Sequence, residues 1–175
     1  DLFCGAECSV PSGTGEGTAM ARYLEMTEMM TPDLANFSGK VHGGALLRLL
    51  DLVAFSCASR YSGQYAVTLS VDQVMFKQPI HVGELVHFRA TVNYVGRTSM
   101  EIGIRVEAEN IRSREVRHTN SCYFTMVAVD DSGKTVAVPQ FTPETEVDKQ
   151  RWRAAELRKE LRREHAKRLE EAAKG

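Results

Sequence analysis

From Gly44 to about Arg60, apolar residues recur at helical spacing. Leu46, Leu50, Val53 and Cys57 form one stripe, and Leu47, Ala54 and Ala58 widen it. An apolar surface this broad predicts a helix buried on most sides. After Tyr61-Ser62-Gly63 the period changes to two. Val67, Leu69, Val71, Gln73 and Met75 alternate with Thr68, Ser70, Asp72, Val74 and Phe76. Beyond a connection bounded by Pro79 and Gly83, Val86, Phe88, Ala90, Val92 and Tyr94 alternate with polar neighbours. A turn at Gly96-Arg97 leads into Met100, Ile102, Ile104, Val106 and Ala108, and a fourth run, Arg117 to Val129, carries Cys122, Phe124, Met126 and Ala128 on one face. Long strands of this kind with short connections predict an antiparallel sheet with one covered face. The stretch Ala19 to Met30 fits a helix or a strand on its own pattern.

A single strongly apolar helix precedes that sheet, so the expected class is α+β, a sheet curled around one central helix. The tail from Pro143 onward is built from strong helix formers. From Asp148 it holds ten Lys and Arg against six Asp and Glu, net +4, which leaves −5 for the rest of a chain whose total is −1. Trp152, Leu157, Leu161 and Leu169 draw a thin apolar stripe along it, which reads first as a solvated helix docked on the body or on a neighbouring subunit and second as a helix with a ligand-phosphate or membrane role. Three segments are expected: a loose, Gly/Ser/Thr-rich start at 1–18, a body at 19–142 and a charged helical extension at 143–175.

The total charge argues neither for nor against nucleic acid, and no nucleic-acid partner is expected. No apolar run approaches the length that crosses a bilayer. Cys57 and Cys122 lie in apolar runs and read as core residues, and Cys4 and Cys8 have no metal-ligand partners nearby. No disulfide is called for, and a reducing cytoplasm is the expected location.

The stretch V-H-G-G-A-L-L-R-L-L-D carries the candidate chemistry. Asp51 interrupts an otherwise apolar helix, seven residues and about two turns from Gly44. Either it is a carboxylate at the edge of the buried face paired with Arg48, or it is a base or nucleophile whose partial burial needs specific hydrogen bonds. Gly43 and Gly44 are either a plain turn or a place where a substrate approaches backbone N–H groups at the positive end of a helix, donors suited to a developing oxyanion. Asn36 and His42 flank them. Asn36 is either a turn residue or an amide donor to a carbonyl or a water, and His42 reads first as a loop-holding residue and second as a substrate contact. Gly96-Arg97-Thr98-Ser99 sets a guanidinium beside two hydroxyls in a turn, suited to phosphate or to no ligand at all, and Lys77 adds to such a patch. No nucleophile elbow, phosphate loop or clustered metal-ligand set is present in the sequence of the body.

Three ordered blocks carry a resemblance. N-F-S-G-K-V-H-G-G-A-L-L-R-L-L-D (Asn36 to Asp51), S-V-D-Q-V-M-F-K-Q-P-I-H-V-G-E-L-V (Ser70 to Val86) and V-G-R-T-S-M-E-I (Val95 to Ile102) resemble the hotdog-fold acyl-CoA thioesterases, and most of all the bacterial and brain-type long-chain acyl-CoA hydrolases. The resemblance covers roughly residues 18 to 135. It implies a hotdog fold, with an antiparallel sheet of five or more strands around a long helix and Ala19–Met30 as its first strand. It implies hydrolysis of acyl-CoA in fatty-acid metabolism, with CoA as part of substrate and product and no separate cofactor. It further implies Asp51 as general base or nucleophile, Asn36 of another subunit as its partner, Gly43 and Gly44 on the oxyanion side, and the Gly96–Ser99 turn at the CoA phosphates. Sites would lie at a homodimer interface, in a hexamer built as a trimer of dimers. Two other functions stay open on the residues alone: a dehydratase or hydratase of the same fold, and a non-catalytic acyl-CoA-binding module. A structural oligomer in which Asp51 only pairs with Arg48 is the third.

Overall fold

The computed structural model describes residues 22–174. The segment 1–18, with Cys4 and Cys8, lies outside the described residues. Strand β1 (Tyr23–Met29) leads through a short 3-10 turn at Pro32–Leu34 into helix α1 (Gly43–Ser62). Strands β2 (Tyr65–Val71), β3 (Leu85–Val95), β4 (Ser99–Glu109) and β5 (Val116–Val129) follow, and helix α2 (Glu146–Ala173) ends the chain. All pairings are antiparallel, and the sheet order is β1-β3-β4-β5-β2. This is an α+β hotdog fold, with a curved sheet wrapped around α1. Within the ambiguous first segment Tyr23–Met29 is a strand, because β1 pairs with β3 from Tyr23↔Thr91 to Met29↔Leu85, and residues 19–21 lie outside the described residues.

The core lies between α1 and the inner face of the sheet. Leu46, Leu50, Val53, Ala54, Cys57 and Ala58 of α1 meet Val86, Phe88, Ala90 and Val92 of β3, Met100 to Ala108 of β4, and Cys122 to Ala128 of β5 at alternate positions. The period-two pattern therefore reads correctly in β4 and β5. Gly63 ends α1 in the left-handed region (φ 67), where a side chain would be strained.

Three expectations of side-chain placement need correction. Leu47 does not widen the buried stripe: it is exposed in the single chain, as are Asp51 and Leu52 beside it. In β3 the register shifts between Val92 and Tyr94, so Tyr94 turns to the outer face while Val95 returns to the core. Its ring lies 4.6 Å from that of Trp152 on α2. The strand predicted through Met75 and Phe76 ends at Val71, and a register shift between Thr68 and Ser70 breaks its alternation. β2 is an edge strand bonded only to β5, and Val67, Leu69 and Val71 are exposed, Leu69 at 68%.

Helix α2 docks on the outer face. Thr145 caps its start by accepting from the Asp148 N–H (3.1 Å), and Asp148 accepts from Arg22 (3.2 Å) and Tyr23 (3.1 Å). Arg158 donates to the nearly inaccessible Glu101 at 2.6 and 3.2 Å and stacks 3.6 Å from the Tyr123 ring centroid. The predicted stripe is only partly used. Trp152 packs against Tyr94 and Phe141, whereas Leu157, Leu161 and Leu169 stay exposed. No helix among the described residues is long and apolar enough to cross a membrane.

Candidate active site

The loop before α1 folds around its own side chains. Asn36 Oδ1 accepts from the Ser38 N–H (2.9 Å), the Ser38 hydroxyl (2.8 Å) and the Lys40 N–H (3.2 Å). Its amide nitrogen makes no hydrogen bond among the described residues. The loop is pinned by His42 N donating to Leu34 O (2.8 Å) and Val41 N to Ile80 O (2.9 Å). His42 is the N-cap of α1: its Nδ1 accepts from the Gly44 N–H at 2.9 Å. An imidazole that accepts at Nδ1 carries its proton on Nε2 when neutral.

This cap supplies a reason for Gly44 that the sequence did not disclose. A Cβ there would lie 3.1 Å from His42 Nδ1 and 3.2 Å from Cε1, inside ordinary contact. The glycine makes room for the imidazole. At Gly43 a Cβ would meet Phe76 Cε2 at 3.5 Å, an ordinary contact. The Gly43 N–H has no acceptor among the described residues, while that of Gly44 is held by His42.

Asp51 stands two turns further along the same face of α1, which is exposed in the single chain. It is thus less buried than expected. It accepts at Oδ1 from the Thr68 hydroxyl at 2.6 Å, a bond from the edge strand to the helix. Thr68 Oγ1 also lies 3.5 Å from Met126 Sδ. Arg48 forms no ion pair with Asp51 among the described residues. Thr68 is the residue that sequence reasoning missed. It is one of several hydroxyls at polar positions of the strands, and only the packing of β2 against α1 singles it out.

The remaining candidates lie elsewhere. The Gly96–Ser99 turn closes between β3 and β4, with Gly96 N donating to Ser99 O (2.7 Å), and it rests on the segment before α2 through Val138 N to Arg97 O (3.0 Å) and Gln140 Nε2 to Gly96 O (2.9 Å). β4 begins beside Val127, next to the start of β2 and the end of α1. The start of α1 sits at the opposite end of the sheet, next to the start of β3. A twenty-residue helix is about 30 Å long, so one chain does not bring this turn to Gly43 and Gly44. Lys77 is exposed on the irregular stretch after β2. The thiols of Cys57 and Cys122 are pushed up to about 12 by burial, which leaves them protonated and unsuited to attack. No cluster of His, Cys, Asp or Glu that would hold a metal ion occurs among the described residues.

Comparison with known proteins places this arrangement. The pattern of the thioesterase superfamily matches residues 38–114. Protein VdlD of Helicobacter pylori is 52% identical over 145 residues, 83% of each chain. A solved hexameric acyl-CoA thioesterase is 37% identical at a TM-score of 0.79, covering 82% of this chain and 92% of that one. An acyl-CoA hydrolase of Staphylococcus aureus, solved with butyryl coenzyme A and coenzyme A, is 29% identical at a TM-score of 0.76, covering 87% and 95%. In further structures of that hydrolase an Asn, an Asp and a Thr are each replaced by Ala, and they are spaced along its chain as Asn36, Asp51 and Thr68 are here. On fold and sequence together, the chain belongs to the hotdog-fold thioesterase superfamily, among its acyl-CoA hydrolases.

Proposed function

We propose that this hydrolase cleaves acyl-CoA thioesters to a free carboxylic acid and CoA, with Asp51 as general base. Asp51 takes a proton from water as the water oxygen bonds to the thioester carbon. The negative oxygen of the tetrahedral intermediate is received at the start of α1 by the open Gly43 N–H and by that of Gly44 as His42 yields it. The intermediate then expels the CoA sulfur, which takes up the proton, and the acid is left. Thr68 holds the carboxylate in line, and Asn36 of a second subunit orients water or substrate through its amide nitrogen. The observation that carries this reading is the 2.6 Å bond from Thr68 to Asp51, on an open helix face two turns from the glycines. The same Asn, Asp and Thr spacing in the Staphylococcus aureus hydrolase supports it.

The active unit is a homodimer. β2 offers an unpaired backbone rim with Tyr65, Val67, Leu69 and Val71 exposed, and Leu47 and Leu52 are exposed on α1. Two β2 edges paired about a twofold axis would join the sheets and cover these residues. Such pairing runs the two chains in opposite directions. It would let the Gly96–Ser99 turn of one chain, with Arg97, Thr98 and Ser99, serve the CoA phosphates at another chain's helix start, with Lys77 and His42 as further contacts. A trimer of such dimers is the expected assembly, and the cytoplasm the expected location. Residues 19–142 form the hydrolase domain and 143–175 its extension. The test is a panel of acyl-CoA esters of graded chain length with thiol release as readout. Release from at least one ester is expected. Tight binding of CoA esters without release would make the chain a binding module instead.

A further inference from the structure

The C-terminal helix is tied to the candidate active site through the ion pair of Arg162 with Asp72, beside which Glu101 also lies 3.7 Å from Arg162. β2 stops at Val71, and the Asp72 N–H donates to Tyr123 O (3.0 Å), the last backbone bond on that side. Residues 73–79 then make no backbone-to-backbone hydrogen bond among the described residues, until Ile80 O accepts from Val41 N. At the point of departure Arg162 Nη1 donates to both Asp72 carboxylate oxygens, at 2.9 and 2.7 Å. Arg162 is the last half-buried residue of α2, every later described one being exposed, so this pair is where the docked part of the helix ends. One turn earlier, Arg158 is locked on Glu101 and lies over the ring of Tyr123, the residue whose carbonyl receives the Asp72 N–H. Glu101 also accepts from Asn93 (3.3 Å). Asp72 is therefore held by its backbone on β5 and by its side chain on α2.

Two groups depend on where Asp72 stands. Four residues before it is Thr68, the donor to Asp51. Four residues after it is Phe76, whose ring lies against Gly43. Between these lie an edge strand with a register shift and a stretch without regular bonds, which resist displacement poorly. Neither Asp72 nor Arg162 is placed near the reacting atoms.

We propose that the Arg162–Asp72 pair positions the active site, holding Thr68 and Phe76 against the start and the Asp51 face of α1. Arg162 lies outside the segment 38–114 that matches the superfamily, so the extension is a working part of this enzyme and more than a solvated appendage. The inference rests on the proposed roles of Asp51 and Thr68.

The test compares Arg162→Met, Arg162→Lys, Asp72→Asn and the double variant Arg162→Met/Asp72→Asn, with Arg168→Met as a surface control. Two readouts are taken: steady-state hydrolysis of an acyl-CoA ester, and amide hydrogen exchange. Arg162→Met is expected to lower kcat about tenfold with KM within about twofold, since small misplacements of a catalytic group are costly. Arg162→Lys restores part of the loss, the double variant is no worse than the poorer single, and Arg168→Met matches the wild type. In Arg162→Met and Asp72→Asn the hydrogen-bonded amides of β2 and of Asp72 exchange faster while β3 and β4 keep their protection. Unchanged kcat overturns the proposal, and so does faster exchange confined to α2. If the wild type releases no thiol from any ester, the hydrolytic reading falls, while the exchange of β2 and Asp72 still decides the clamp.

Discussion

Replacing Gly44 with Ala separates the two reasons for a glycine at this position. The added methyl would lie 3.1 Å from Nδ1 and 3.2 Å from Cε1 of His42, so the imidazole must shift by a few tenths of an ångström. That lengthens its 2.9 Å cap to the Gly44 N–H. A lost N-cap costs about 1 kcal/mol. Alanine in a helix interior gains up to about 1 kcal/mol over glycine, and at the second helical residue about half of that is a fair share. The two nearly cancel, leaving a net cost of about 0.5 kcal/mol. For a chain of this size that lowers Tm by about 1–2 °C. Activity has no such compensation. On the proposed mechanism the methyl stands beside an N–H that the thioester oxygen approaches, and losing an oxyanion donor typically costs about 10²–10³-fold in kcat. With the N–H kept but its approach obstructed, a loss of at least about tenfold is expected. Thermal unfolding and steady-state thiol release on one preparation check both halves. Turnover within about twofold of wild type would refute the role of the helix start. A Tm loss above about 5 °C would refute the balance of cap against propensity.

Further outcomes follow from the same geometry. Burial alone would raise the Glu84 carboxyl, but hydrogen bonds from Arg117 and the His81 N–H, with the charges of Arg117 and His81, outweigh it and hold the group below its ordinary 4.5. Its folded value lies below its unfolded one. The stability it contributes is therefore present above about pH 4.5, and is lost as pH falls through the lower folded value. Urea unfolding across that window should show the loss, and Glu84→Gln should flatten the slope. At the sheet edge, Leu69→Lys sets a charge on the proposed dimer seam. Sedimentation should then shift toward monomer and turnover should fall with it, whereas Leu169→Lys on the exposed end of α2 should leave both unchanged.

Much of the fold was legible because its strongest signals are local. The stripe Leu46, Leu50, Val53 and Cys57 and the alternations of β4 and β5 each face one core, so periodicity alone assigns their sides. Two of the misreadings share a cause. Tyr94 turned outward and β2 lost its alternation at register shifts, where one extra residue reverses every later side chain without any mark in composition. Leu47 read as core because an apolar residue at helical spacing carries the same mark whether it faces the interior or, as proposed, a partner subunit. At the candidate site, Asp51 and the glycines stood out as residue types foreign to their surroundings. Thr68 did not, since a threonine in a strand is ordinary and its bond to Asp51 spans 17 residues of chain. The Arg162–Asp72 pair spans 90, and no pattern along the sequence joins them.

The central claim is that Asp51, aimed by Thr68, activates the attacking water. Its most direct test is turnover of Asp51→Asn on the best acyl-CoA ester, with folding checked by thermal unfolding. Asparagine keeps the shape and an oxygen to accept the Thr68 hydrogen bond, but it cannot take a proton. The account predicts a folded protein with kcat lowered at least about 10²-fold. Thr68→Val should lose less, because it leaves the base in place. Wild-type turnover in folded Asp51→Asn would contradict the account.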